Sequence, residues 1–164
     1  MSDTLEAWVR AFAGVTEKIF AAQGRVDPIA FVQADSGHME MIQLDFSDPA
    51  AKVYSGDVVR RICELSEARR VLMIAESWIT ELPKDTAPEV IKRIDRLGVV
   101  ASGVPRREVI IYTAEDRTRQ LTGEQEILRE GKKAWLSPLK ILQNADWTDG
   151  RLANLMPRPP GRVQ

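Results

Sequence analysis

The sequence predicts a single α+β domain, in which helices cover one face of a mixed, mainly antiparallel sheet. Two strongly apolar segments, residues 71–79 and 108–114, are typical of strands at the centre of a sheet. Short turns join consecutive strands, which favours antiparallel pairing. Two other segments repeat apolar residues at helical spacing. The predicted order of elements is therefore α-β-β-α-β-(α)-β-β-β.

The first helix is predicted by apolar residues that recur in three- and four-residue steps and so share one helical face. These are Leu5, Trp8, Val9, Phe12, Val15, Ile19 and Phe20. One of residues 2–4 can cap this helix, and Gly24 can end it. The segment PIAFVQADSGHMEMIQLDF (28–46) then predicts two strands around a turn at residues 35–37.

The second helix is predicted to run from its cap, Ser47, to about Ala68, with Pro49 in the first turn. Its buried stripe comprises Val58, Val59, Ile62 and Leu65. Residues 86–97 fit a short helix that Gly98 stops, and a long mobile loop is the alternative.

The second half of the chain predicts three further strands. They are REVIIYTAED (107–116), the more polar TRQLTGEQEILRE (118–130) and AWLSPLKIL (134–142). Polar residues favour either an edge position or one solvated face for the second of these strands. Pro138 indicates an edge or a bulge in the third.

Composition indicates a protein of the cytoplasm. The chain has 164 residues, a net charge of −1 and one cysteine, Cys63, so no intrachain disulfide can form. The segment MSDTLEAWVR lacks the features of a signal peptide, and no apolar run approaches the ~18 residues of a membrane helix. The weak charge predicts neither nucleic acid nor a membrane as a partner. Residues 1–156 are expected to form one domain, and residues 157–164 a disordered tail.

Glu76 is the first candidate site residue, because it interrupts the apolar strand 71–79. Strand alternation places its side chain on the same face as Trp78. A buried carboxylate needs a partner, so one reading is a pocket walled by Trp78 in which Glu76 acts as an acid or base or holds a ligand. Otherwise Glu76 forms a structural pair with Arg106 or Arg107, or is solvated near the end of the strand.

His38 and Glu40 lie two residues apart on one strand face, an H-x-E spacing that also occurs in zinc deaminases. Those enzymes need a P-C-x-x-C segment, which the single Cys63 cannot supply. Because His38 is the one histidine, three-histidine and H-E-x-x-H zinc sites are excluded. We therefore expect no metal and an exposed His38 beside the turn.

Other catalytic chemistries lack their motifs. The sequence has no G-x-S-x-G segment, and Cys63 falls on the apolar side of the second helix, where a thiol is inert. Gly98 and Gly103 have the glycine spacing of a P-loop, but Val104 and Pro105 replace its Lys-Ser/Thr. We expect no cofactor, and catalytic residues stay unassigned. The candidate ligand-binding residues are Glu76, Trp78, Arg107, His38 and Glu40.

The stretches DPAAKVYSGDVVRRI, AESWIT, PRREVIIYTAEDR and EILRE occur in this order within residues 48–130. Together they resemble a family of small uncharacterised proteins from bacteria and their phages. This family has no assigned reaction, cofactor or catalytic residue, so the resemblance implies one shared domain and no activity. It makes the following residues look like parts of a family pattern: Glu76, Trp78, Pro105, Arg107 and Glu108.

The leading functional hypothesis is a small binding or interaction module that self-associates as a homodimer through a sheet edge or an apolar helix face. It follows from a good predicted core, four tryptophans, a weak net charge and the missing catalytic set. The alternative is a metal-independent enzyme or a sensor of an unidentified small molecule that uses Glu76 beside Trp78. A phage-derived structural or accessory protein is the third hypothesis.

Overall fold

A computed structural model describes residues 3–142 and 155–156 of the chain, which form one α+β domain. Its helices are α1 (Leu5–Gln23), α2 (Pro49–Leu65) and α3 (Pro88–Ala101). Its strands are β1 (Ile29–Ala34), β2 (Met39–Gln43), β3 (Ala68–Ile79), β4 (Arg107–Asp116), β5 (Gln120–Glu130), β6 (Lys133–Leu136) and β7 (Lys140–Leu142). The predicted fold class is confirmed, and the order of elements matches with one more strand at the end. The predicted tail, residues 157–164, lies outside the described residues.

The strands form one sheet in the order β2-β1-β3-β4-β5-β6, and β7 pairs with β5 beside β6. Every strand pair within the described residues is antiparallel. The two most apolar strands, β3 and β4, lie at the centre as predicted. Neighbouring strands on both sides therefore satisfy their backbone hydrogen-bonding groups. The predicted last strand is divided into β6 and β7 by the segment around Pro138.

The two faces of the sheet are covered by different helices, whereas the sequence prediction placed the helices on one face. Leu72 and Ile74 of β3 belong to the core under α1, and Val71 and Met73 belong to the core under α2. The run VLMI is apolar at every position, so each face of β3 requires its own cover.

Helix α1 begins where Thr4 accepts a hydrogen bond from the Ala7 N–H, and it ends at Gly24, whose φ of 72° suits glycine. The predicted apolar stripe of this helix includes residues that the structure leaves exposed. Val15 and Ile19 remain 52% and 40% exposed. The side chains of α1 that are buried are Leu5, Trp8, Val9, Ala13, Thr16 and Phe20.

Helices α2 and α3 begin at prolines, and both differ in detail from the prediction. Asp48, not Ser47, caps α2 by accepting from the Ala51 N–H, and Leu65 is 69% exposed at its end. Helix α3 is interrupted at the predicted position, since Gly98 has a φ of 83°, and a last turn follows it. None of the residues of α3 is buried.

Candidate functional site

Glu76 has a structural contact with the chain that follows α1. Its Oε1 accepts a hydrogen bond of 2.7 Å from the backbone N–H of Val26, and Val26 is buried. A buried N–H without an acceptor costs about 1–3 kcal/mol, so Glu76 fixes this segment onto β3. The predicted arginine partner is not observed among the described residues, because Arg106 and Arg107 make other contacts.

Trp78 lies beyond Glu76 on the same face of β3, as predicted, but at the surface. The residue is 44% exposed, and the Arg106 guanidinium lies over its ring at 5.0 Å from the centroid. Glu108, opposite Trp78 in the sheet, binds Arg129 through two hydrogen bonds of 2.8 and 2.9 Å. The hydrogen bonds from Arg129 lower the pKa of Glu108. This end of the face carries paired charges and a stacked arginine in place of the predicted pocket wall.

The other predicted ligand-binding residues lie elsewhere. Arg107 points to the opposite face, where its guanidinium contacts Glu124 at 3.3 Å and Glu81 at 3.0 Å. His38 and Glu40 form a contact of 2.8 Å beside β2, and both side chains are more than half exposed. The five candidates therefore occupy three separate places and do not form one site.

Neither a cluster of metal-ligating side chains nor an exposed thiol is present among the described residues. No group of three or more His, Cys, Asp or Glu side chains within residues 3–142 and 155–156 is arranged to hold a metal. Cys63 is buried in the core under α2, and burial raises the pKa of its thiol to about 12. At neutral pH this thiol is protonated and unreactive, as the sequence predicted.

A surface that we call the apolar edge surface is the first candidate binding site. It comprises Val15 and Ile19 of α1 with Met39 and Met41 of β2, and these side chains are 52%, 40%, 36% and 66% exposed. Helix α1 packs over β4, β5 and β6, and its flank reaches toward the β2 edge through Phe12, whose ring centroid lies 4.4 Å from that of Phe31 in β1. Val15 and Ile19 follow Phe12 on one flank of α1, and Met41 is the cross-strand partner of Phe31.

The backbone beside this surface has hydrogen-bonding groups directed away from the sheet. At the two ends of the β1–β2 pair, the Ala34 N–H donates to the His38 carbonyl and the Leu44 N–H to the Pro28 carbonyl. Backbone hydrogen-bonding groups alternate in direction along a strand, so those of the even-numbered residues of β2 point toward β1. The backbone groups of Met39, Met41 and Gln43 therefore point away from the sheet. No other described strand pairs with β2, so its outer side is a free sheet edge.

The second candidate site is a depression on the face that α2 partly covers, which we call the α2-side trough. Its volume is about 230 Å³. Its floor is the central pair of strands, and its wall comes from the start of α2 and the loop before it. The lining residues are Phe46, Lys52, Met73, Ala75, Glu76, Ser77, Ile111 and Thr113.

Comparisons with known proteins found no match to a family model, to a curated protein or to a solved structure. The resemblance to bacterial and phage proteins therefore stays a prediction. Among the helices of the described residues, none is long and apolar enough to span a membrane.

Sequence reasoning missed the positions of both candidate sites. The alternation of Met39 and Met41 beside a glycine turn was a usable signal for an exposed apolar edge. The trough had no such signal, because its residues come together from four separate segments.

Proposed function

We propose that the protein is a small cytoplasmic interaction module that self-associates as a dimer through the apolar edge surface. The observation that carries this proposal is the juxtaposition of four exposed large apolar side chains with the free edge of β2. Single exposed apolar residues are ordinary, but a cluster beside an unpaired strand is typical of an association surface.

A second copy of the chain is the partner that β2 fits, because this strand is complementary to itself. In an antiparallel pair centred on Met41, Met39 lies opposite the partner's Gln43, and Glu40 lies opposite the partner's Ile42. The outward groups of Met39, Met41 and Gln43 then form about six hydrogen bonds across the two copies. No carboxylate stands directly opposite another in this register.

In the same register, the second copy of the chain also covers the exposed apolar side chains. The two-fold axis runs perpendicular to the joined sheet, so both copies of α1 lie on the same face. Met41 lies beside the partner's Met41, between the two flanks that carry Val15 and Ile19. Complete burial of one such side chain contributes about 1.5–3 kcal/mol, and association costs about 4–15 kcal/mol. Since the side chains are already partly covered, we expect a dissociation constant in the micromolar range or weaker.

Sedimentation velocity over low to high micromolar concentration tests the association. Wild-type protein should shift from monomer to dimer, whereas Met41→Lys should remain monomeric because it places an ammonium group at the centre of the interface. The matched control is Leu65→Lys, an equally drastic change of an exposed side chain at the end of α2. Wild-type protein that stays monomeric throughout, or a Met41→Lys variant that still dimerises, contradicts the proposal.

Cysteine cross-linking tests the register separately. The α-carbons of a hydrogen-bonded antiparallel pair are ~5.5 Å apart, within the ~4.4–6.8 Å that a disulfide spans. Met41→Cys should therefore form a covalent dimer on mild oxidation, while the buried Cys63 stays reduced. Met39→Cys should not, since the two copies of residue 39 are offset by about 13 Å along the strands. Combining Met39→Cys with Gln43→Cys should restore the cross-link. A dimer that lacks this cross-linking pattern would support the association but contradict the proposed register.

A further inference from the structure

We propose that the α2-side trough binds a small organic anion with a compact apolar body. The trough lies on the opposite face of the sheet from the apolar edge surface, so this inference does not depend on the dimer.

The shape of the trough follows from the register of β3 and β4. Met73 lies opposite Thr113, and Ala75 lies opposite Ile111, so these four side chains form successive rows of one floor. The small side chain of Ala75 leaves space at its centre. Glu76 lines the trough through its backbone, because its side chain turns to the other face and holds the Val26 N–H.

The size of the trough limits its occupant. Its volume of about 230 Å³ corresponds to about eight waters at ~30 Å³ each. Pockets that enclose drug-sized ligands have volumes of roughly 300–1,000 Å³. The trough is smaller, so a ligand with a single ring or a short chain fits it.

The polar groups of the trough favour an anion. The Lys52 ammonium lies 5.2 Å from the centroid of the Phe46 ring. Among the described residues this ring is its one specific partner, so no carboxylate neutralises the charge. An entering carboxylate can form an ion pair with the ammonium, strengthened by partial exclusion of water.

Two hydroxyl groups stand at opposite ends of the floor. The Ser77 hydroxyl makes only a long contact of 3.4 Å to the Trp78 carbonyl, and in the described part of the chain the Thr113 hydroxyl has no hydrogen-bond partner. Ser77 and Thr113 are four residues apart in register, or about 13 Å. A small ligand therefore uses one hydroxyl together with Lys52, while its apolar body covers Ala75 and Ile111.

Amide NMR spectra of the full chain with hexanoate and benzoate test this inference, with hexanamide and benzamide as uncharged counterparts at equal ionic strength. The carboxylates should shift the amide signals of Lys52, Ala75 and Thr113 and bind about tenfold more tightly than the amides. Lys52→Met should abolish that preference, and Ala75→Phe should abolish binding because its ring fills the trough. Lys18→Met, at an exposed position of α1, is the matched control and should bind as wild type does.

Three outcomes overturn the inference: no shift with any probe at millimolar concentration, equal binding of acid and amide, or undiminished binding by the Ala75→Phe variant. The spectrum of each variant reports its folding directly. Should Ala75→Phe fail to fold, Ala75→Leu fills most of the same space and applies the same test.

Discussion

The two faces of the central strands are equally apolar in sequence but are closed to different extents. Under α1, the side chains of Leu72, Ile74, Ile110 and Tyr112 are almost completely buried. Under α2, Val71 and Met73 are buried, whereas Ala75 and Ile111 farther along the strands are only partly buried. The comparison shows that the position of the covering helix, more than the strand sequence, decides where a depression remains.

Polar groups also differ between the two faces. Under α1, the Tyr112 hydroxyl donates to Gln125 at 2.5 Å, and the Gln125 amide donates to Glu17 of α1 at 2.7 Å. Under α2, the buried Glu115 accepts from the backbone N–H groups of Leu155 at 2.8 Å and Met156 at 3.5 Å. One face is thus closed by a helix that supplies side chains, and the other depends on a carboxylate that holds residues near the end of the chain.

Truncation of neighbouring residues on β3 gives the largest expected effect. Leu72→Ala leaves an enclosed cavity under α1 and should lower the free energy of unfolding by about 3–5 kcal/mol. Met73→Ala opens into the α2-side trough and should cost only about 2 kcal/mol, because no closed cavity forms. Urea unfolding of both variants measures the difference. Equal losses would show that the α2 side is as tightly packed as the α1 side.

Removal of the Glu115 side chain ranks next. Glu115→Ala leaves the buried N–H groups of Leu155 and Met156 without their acceptor and should lower the free energy of unfolding by about 2–4 kcal/mol. Hydrogen exchange should show faster exchange of both amides. Protection that matches the wild type would contradict a role for Glu115 in holding this segment.

The pH dependence of stability separates charge from hydrogen bonding at Glu115. Burial raises the pKa of Glu115 above its ordinary 4.5, despite opposing hydrogen bonds from Leu155, Met156 and Gln120. The folded state then holds the proton to higher pH than the unfolded state does, so this contribution is fully present below pH 4.5 and is lost as pH rises through the folded pKa. Glu115→Gln should remove this loss. As pH rises from 4.5 to neutral, the urea midpoint of Glu115→Gln should therefore increase relative to that of the wild type. A difference between the two midpoints that stays constant with pH would contradict this prediction.

Much of the fold was predictable because its signals are local. The runs around Leu72 and Ile110 identified the central strands, and Pro88 and Gly98 located the part of α3 that precedes its interruption. The position of Cys63 on the apolar side of the second helix predicted its burial, and the structure confirms that burial. These features depend on residue type and spacing, which the sequence displays directly.

The sites were predictable only in part, because they depend on which distant segments meet. The partner of Glu76 is a backbone N–H fifty positions earlier, and backbone groups leave no mark in a sequence. Likewise, the apolar spacing of α1 is the same at Val9 and at Ile19, but only Val9 lies over the sheet. Val15 and Ile19 have the spacing of core residues but are exposed in the structure, and they therefore indicate the association surface.

Glu76 gives the smallest expected effect and compares directly with Glu115, since each carboxylate accepts from a backbone N–H on its own face. Glu76→Gln keeps a carbonyl acceptor for Val26 and should change the free energy of unfolding by less than about 1 kcal/mol. Glu76→Ala removes the acceptor and should cost about 1–3 kcal/mol, with faster exchange of the Val26 amide. Urea unfolding and hydrogen exchange of the two variants measure these effects. If Glu76→Gln is as destabilising as Glu76→Ala, the negative charge itself is required, and a role limited to accepting this hydrogen bond is wrong.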